Sequence, residues 1–178
     1  MAKRPPSPAS PAAENELLGQ LTTLNAIKSS LLLKALAVWT EKKGARRMPA
    51  RDDMTPRAMA PFLRNTALVK VIDGGREYQF RVVGDAVTQV QGESYQGLTL
   101  TEVDKKLPGY GALLRPVHDV VVARAEPLAF SGHIRRSPTG RMFFHETVIL
   151  PLGSGDAVDH FLVVVEHVFE SGVEPRDT

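Results

Sequence analysis

The chain has 178 residues, 43% of them hydrophobic and 24% charged, with a formal net charge of +2. That composition fits one globular domain with extensions, and the charge is too small to imply nucleic acid as a partner. With no cysteine, disulfides, thiolate-bound zinc, iron–sulfur clusters and thiol nucleophiles are excluded, and no apolar run approaches the ~20 residues of a membrane-spanning helix.

Residues 1–14 are rich in Pro, Ser and Ala and predict a disordered tail. Pro5, Pro6, Pro8 and Pro11 stand where a signal peptide would carry its apolar core, so secretion is not expected and a cytoplasmic location is. A helical extension and linker are expected over 15–56. Leu17, Leu18, Leu21, Leu24 and Ile27 form a helical stripe from Glu16 to Lys28. Ser29-Ser30 either interrupts that helix or lies exposed on it. Leu32, Leu33, Leu36, Val38 and Trp39 continue the apolar pattern from Leu31 to Lys43, and Gly44 is placed to stop it. This is more apolar surface than an isolated helix can keep in solution, so the helix packs on its own domain, on a second copy, or on both. Residues 1–54 hold nine Lys/Arg against five Asp/Glu. Lys42, Lys43, Arg46 and Arg47 lie where cations complement a helix C-terminus, and an acidic partner or membrane surface is the alternative reading.

Arg51 and Asp52 sit in a Pro-flanked linker that they could pin to a sheet by ion pairs. Thr55-Pro56 is a cap followed by a first-turn proline, opening a short helix through Ala58, Met59 and Phe62. Alternation then predicts a strand through Ala67, Val69 and Val71, a turn at Asp73-Gly74-Gly75, and a strand through Tyr78, Phe80 and Val82. Gly84-Asp85 ends that strand and Asp85 can cap a short helix holding Val87. Thr101-Glu102-Val103-Asp104 reads as a capping-box-like start. Tyr110–Ala125 is the next helix, which Pro116 should kink or delay. Three strands follow, Leu128–Arg136, Arg141–Leu152 and His160–Glu170. The last two have apolar residues on both faces, so the sheet needs two covers: the helices between Asp85 and Ala125, and the N-terminal helix.

A strand ending Arg81-Val82-Val83-Gly84, a short helix, and then Gly92-Glu93-Ser94-Tyr95-Gln96-Gly97 resembles the first half of a PAS domain. Trp39 and the segment Met48-Pro49-Ala50-Arg51-Asp52 add to it. In this order the pieces resemble a family of short bacterial stand-alone PAS proteins, over roughly Leu31 to Glu170. The resemblance implies an α+β fold: one PAS-like domain over 57–170, a five-stranded antiparallel sheet with helices on one face, the N-terminal extension, and a C-terminal tail over 171–178. It implies a non-enzymatic sensory or adaptor module in signal transduction, acting on partners such as sensor kinases or other regulators. A homodimer through the N-terminal helix is expected, with Trp39, Leu32, Leu36, Arg51, Asp52, Arg81, Gly84 and Gly97 as structural or interface positions. Lacking cysteine, the chain cannot perform the cysteinyl–flavin chemistry of light-oxygen-voltage relatives.

The concave side of such a sheet would be lined by Tyr78, Phe80, Val82, Val87, Tyr95, Leu98, Leu114, His118, Phe144 and Val148, as a filled core or a small-molecule pocket. Haem-binding PAS domains take their iron ligand from the helix equivalent to that of His118, but a lone helical histidine is more often a packing residue, and no cofactor is required. No catalytic residues are expected. Ser94 does not sit in a nucleophile elbow, and there is no phosphate loop. His133 and His145 fall on diagonal positions of the last hairpin without a third ligand, so no metal site is expected. His160 and His167 should face solvent. Arg81 and Glu146 are the charges nearest the pocket wall, exposed or paired with each other. The alternative is a cone-shaped α+β enzyme of the isomerase or dehydratase type, with Asp119, Glu146 and His118 as its candidate groups.

Overall fold

A computed structural model describes residues 17–135 and 142–169; the predicted tails, 1–14 and 171–178, lie outside them. The elements are β1 (Leu17–Thr22), α1 (Ser30–Lys43), α2 (Pro56–Met59), β2 (Thr66–Ile72), β3 (Glu77–Val83), α3 (Asp85–Gln91), α4 (Leu100–Lys106), α5 (Tyr110–Arg124), β4 (Leu128–Arg135), β5 (Met142–Leu152) and β6 (His160–Phe169). They build an α+β fold on one antiparallel sheet of order β1-β4-β5-β6-β2-β3. The sheet has six strands, not five.

The sixth strand is the largest departure from the sequence reading. Leu17–Thr22 is not helical; it pairs with the edge of β4, with Gly19 opposite Gly132 and Leu21 opposite Phe130. Gly19, Thr22 and Thr23 are poor helix formers, and the open edge of β4 offers backbone partners that an isolated helix lacks. Ser29 then starts α1 afresh: its hydroxyl accepts from Leu32 N–H at 3.1 Å. Gly44 ends the helix.

Leu32, Ala35 and Trp39, one stripe of α1, are buried against the sheet. The Trp39 indole N–H donates to the Pro151 carbonyl at 2.8 Å. The Arg51–Asp52 pair sits 3.7 Å apart with Asp52 fully exposed, so it does not reach the sheet. Buried Met48 and Met54 hold the linker, together with a bond from Gly153 N–H to the Pro49 carbonyl at 2.9 Å. Arg46 pairs with Asp53 at 2.8 Å, and Asp53 also accepts from Ala50 N–H at 2.8 Å.

The other face carries α3, α4 and α5. Gly84 caps α3, with Asp85 inside the first turn. A Cβ at Gly84 would lie 2.2 Å from the Arg64 carbonyl, so the end of β3 requires glycine for space. Thr99, two residues before the predicted start, caps α4: Glu102 N–H donates to its hydroxyl at 3.2 Å, and Thr99 N–H donates to Glu102 at 2.8 Å. The Asp104 carboxylate accepts from Gly111 N–H at 2.8 Å and so caps α5 from a neighbouring helix. The α5 helix runs through Pro116; Pro116 and Ala112, whose carbonyl loses its partner, are both exposed and water can satisfy that oxygen.

Candidate functional site

The residues of interest lie between the sheet and α5. Register fixes the two faces. Phe161 pairs with Pro151 and Val69, Val69 with Phe80, and Val71 with Tyr78, so these side chains share the α5 face. His118 comes down from α5 onto them, 2% exposed. Its ring centre lies 4.8 Å from Phe161, 4.9 Å from Tyr78 and 6.4 Å from Phe80. Phe80 continues to Tyr95 at 6.3 Å, and Tyr95 to Tyr110 at 6.0 Å. The Tyr110 hydroxyl accepts from the Gln91 amide at 3.2 Å. Edge-on geometry suits ring quadrupoles. The six rings form one continuous aromatic layer beneath the helices.

Polar groups frame this layer. The Tyr78 hydroxyl donates to Asp119 on α5 at 2.6 Å. The Arg115 guanidinium stands 5.6 Å from the centre of the Tyr78 ring and pairs with Glu77 at 3.1 Å. Thr101 also donates to Glu77. Burial, then the bond to Asp119, pushes the Tyr78 hydroxyl well above its ordinary range. Burial also pushes His118 down to about 4, so its imidazole is neutral near pH 7. Its Nδ1 is buried without a hydrogen-bond partner.

Of the predicted lining, Tyr78, Phe80, Val87, Tyr95 and His118 are buried, and Leu98 and Leu114 pack half-buried against the same core. Leu98 is placed by Gly97: Gly97 N–H donates to the Phe80 carbonyl at 2.7 Å, and Phe80 N–H to the Leu98 carbonyl at 3.0 Å. Gly97 has φ +87, a backbone setting that favours glycine. Three predicted residues are not part of this lining. Phe144 and Val148 point to the α1 face, because they alternate in step with Glu146, whose carboxylate meets α1. Val82 lies past a one-residue bulge, where Arg81 is the extra residue, and pairs with Leu68 on that same face. Arg81 is exposed and donates to Gln79 at 3.3 Å. Phe161 was missed, although alternation in the last strand marks it as inward.

Among the described residues Glu146 pairs neither with Arg81 nor with any other cation. Buried at 8% exposure, it accepts from Ser29 N–H at 2.7 Å and from Lys28 N–H at 3.1 and 3.2 Å. It thus clasps the start of α1 to the middle of the sheet. Asp119, Glu146 and His118, the groups an enzyme would have gathered, are not gathered: Glu146 is on the opposite face and Asp119 is exposed. Haem does not fit His118 as placed, because two aromatic rings already occupy the space against its imidazole.

The hairpin histidines keep the expected register, while the two of the last strand are less exposed than expected. His133 and His145 are adjacent in register and therefore on opposite faces; His133 stacks edge-on with Phe144 at 5.3 Å. His145 pairs directly with His167 instead. His167 and His160 are half-buried, and His160 bonds Asp159 at 2.7 Å. Among the described residues no group of three metal-ligating side chains occurs, and no helix is long and apolar enough to cross a membrane.

No curated protein matches the chain. Among solved structures it is similar to the Rhodobacter sphaeroides LOV protein, at 14% identity and TM-score 0.42, covering 82% of this chain and 71% of that one. It is also similar to the PAS domain of an HTR-like protein from Haloarcula marismortui, at 16% identity and TM-score 0.38, covering 66% of this chain and 93% of that one. A family model described as PAS domain matches residues 27–164, from the start of α1 into β6 and including the aromatic layer under α5, and the chain therefore belongs to the PAS domain family.

Proposed function

We propose that this PAS domain is a non-enzymatic sensory and adaptor module of signal transduction, cytoplasmic, whose output passes through protein contacts made by α1. Its partners are a second copy of the chain and signalling proteins such as sensor kinases or regulators. The observation that carries this reading is the surface of α1. The helix is fastened to the sheet through Trp39 and Glu146, yet it still presents Leu33, 45% exposed, to solvent, with half-buried Leu36 beside it. An apolar residue on the outer side of a docked helix is a contact waiting for a partner. A small molecule entering the aromatic layer at His118 would act by population shift, changing how the sheet holds α1.

Native mass spectrometry of the full chain, purified without refolding, tests the reading. A dimer is expected, shifted to monomer by Leu33→Glu. A stoichiometric small molecule in the spectrum would support the sensory part. A ligand-free monomer, unaltered by Leu33→Glu, would overturn the contact role of α1.

A further inference from the structure

At the other end of the α5 face, three rows along β5 from Pro151, His145 and His167 stand directly opposite each other on β5 and β6. Their ring centres are 6.3 Å apart, inclined at 37°. His145 is 3% exposed, and its Nδ1 lies 2.9 Å from the Thr147 hydroxyl. Its Nε2 is buried and has no hydrogen-bond partner. The same row continues into Gly132 on β4 and Gly19 on β1. His167 is half-buried, which leaves an approach from solvent.

We propose that His145 and His167 form a two-imidazole site for a late first-row divalent metal ion. The spacing fits. With a metal–nitrogen bond of about 2.0–2.1 Å, a ligating ring centre stands about 3.2 Å from the metal. Two such rings therefore have centres about 5.2 Å apart at a tetrahedral angle and about 6.4 Å apart when collinear. The observed separation lies within that span, near its collinear end. The second shell fits as well. When Nδ1–H donates to Thr147, Nε2 is left as a bare lone pair, the form a metal requires, with the ring held by an outer partner. A buried nitrogen without a partner is otherwise a cost to the fold, and the metal removes it. Nitrogen donors order the candidates as copper above nickel, with zinc below copper. Water completes the coordination.

Isothermal titration of the full, tag-free chain with nickel and with copper(II) chloride tests the site. One ion per chain is expected, with two-nitrogen coordination in the copper EPR spectrum. His167→Ala should abolish binding, Thr147→Val should weaken it about tenfold through the second shell, and His133→Ala should leave it unchanged. His145→Ala should also abolish binding. If that variant is unfolded by circular dichroism, the better-exposed His167→Ala decides. Binding weaker than about 1 mM, or binding that survives His167→Ala, overturns the site.

Discussion

The two faces of the sheet treat their buried polar groups differently. On the α1 face they are matched: the Trp39 indole bonds Pro151, and Glu146 accepts three contacts from the backbone at the start of the helix. On the α5 face His118 Nδ1 and His145 Nε2 are buried without a partner. A satisfied polar group fixes a position, because breaking its bonds leaves a buried donor or acceptor exposed to no compensation. An unsatisfied one is a standing cost that a ligand or a proton can change. The α1 face is thus built as a fastening, and the α5 face retains the groups able to respond.

Trp39→Ala would break this comparison most strongly. It removes a large buried ring and strands the Pro151 carbonyl, and a loss of about 3–5 kcal/mol is expected. Urea unfolding measures it, and an unchanged midpoint would show that α1 is not fastened by its tryptophan.

Acid sharpens the other face. His118 has a folded pKa of about 4, below its ordinary 6.5, because of burial. The unfolded chain therefore binds the proton first. Stability from this group is constant above about pH 6.5 and is lost as pH falls toward 4, by about 3 kcal/mol in all. His145, lowered in the same direction, adds to this acid limb. His118→Leu should flatten much of the limb and cost little at neutral pH, since it removes the unpaired nitrogen. Denaturation midpoints from pH 4 to 8 would show it, and an acid limb identical to wild type would deny His118 its role.

Glu146→Gln gives the smallest change. The amide keeps the shape but turns an N–H toward the N–H groups of Lys28 and Ser29, costing about 1–2 kcal/mol. Hydrogen exchange should rise at the first turn of α1 and remain unchanged in α5. Equal loosening of both would mean that the two faces form a single cooperative unit rather than a fastening and a responsive layer.

The order of strands and helices from β2 to β6 was legible because its signals are local. Asp73-Gly74-Gly75 supplies positive φ, Thr55 and Gly44 bracket helices, and Tyr78 and Phe80 keep the period of a half-buried strand. The site was legible only in part. His118, singled out by helical spacing, and Tyr95, singled out by the PAS resemblance, both lie in the aromatic layer. Phe144 and Val148 did not, because a period of two identifies the two faces of β5 but not which helix covers which. The bulge that turns Val82 away is a one-residue event without a turn signal of its own.

From β2 to β6 the amino-acid sequence by itself determined the order of strands and helices and the turn at Asp73-Gly74-Gly75, because those are properties of local dihedrals and short-range periodicity. Only the tertiary structure decided that Leu17–Thr22 is a strand, that Glu146 holds α1 by its backbone, and that His145 meets His167 rather than His133. Each depends on register between segments far apart in the chain. Local propensity is weak beside an open sheet edge or a set of unmatched backbone donors, so the partner, not the residue, decided the outcome.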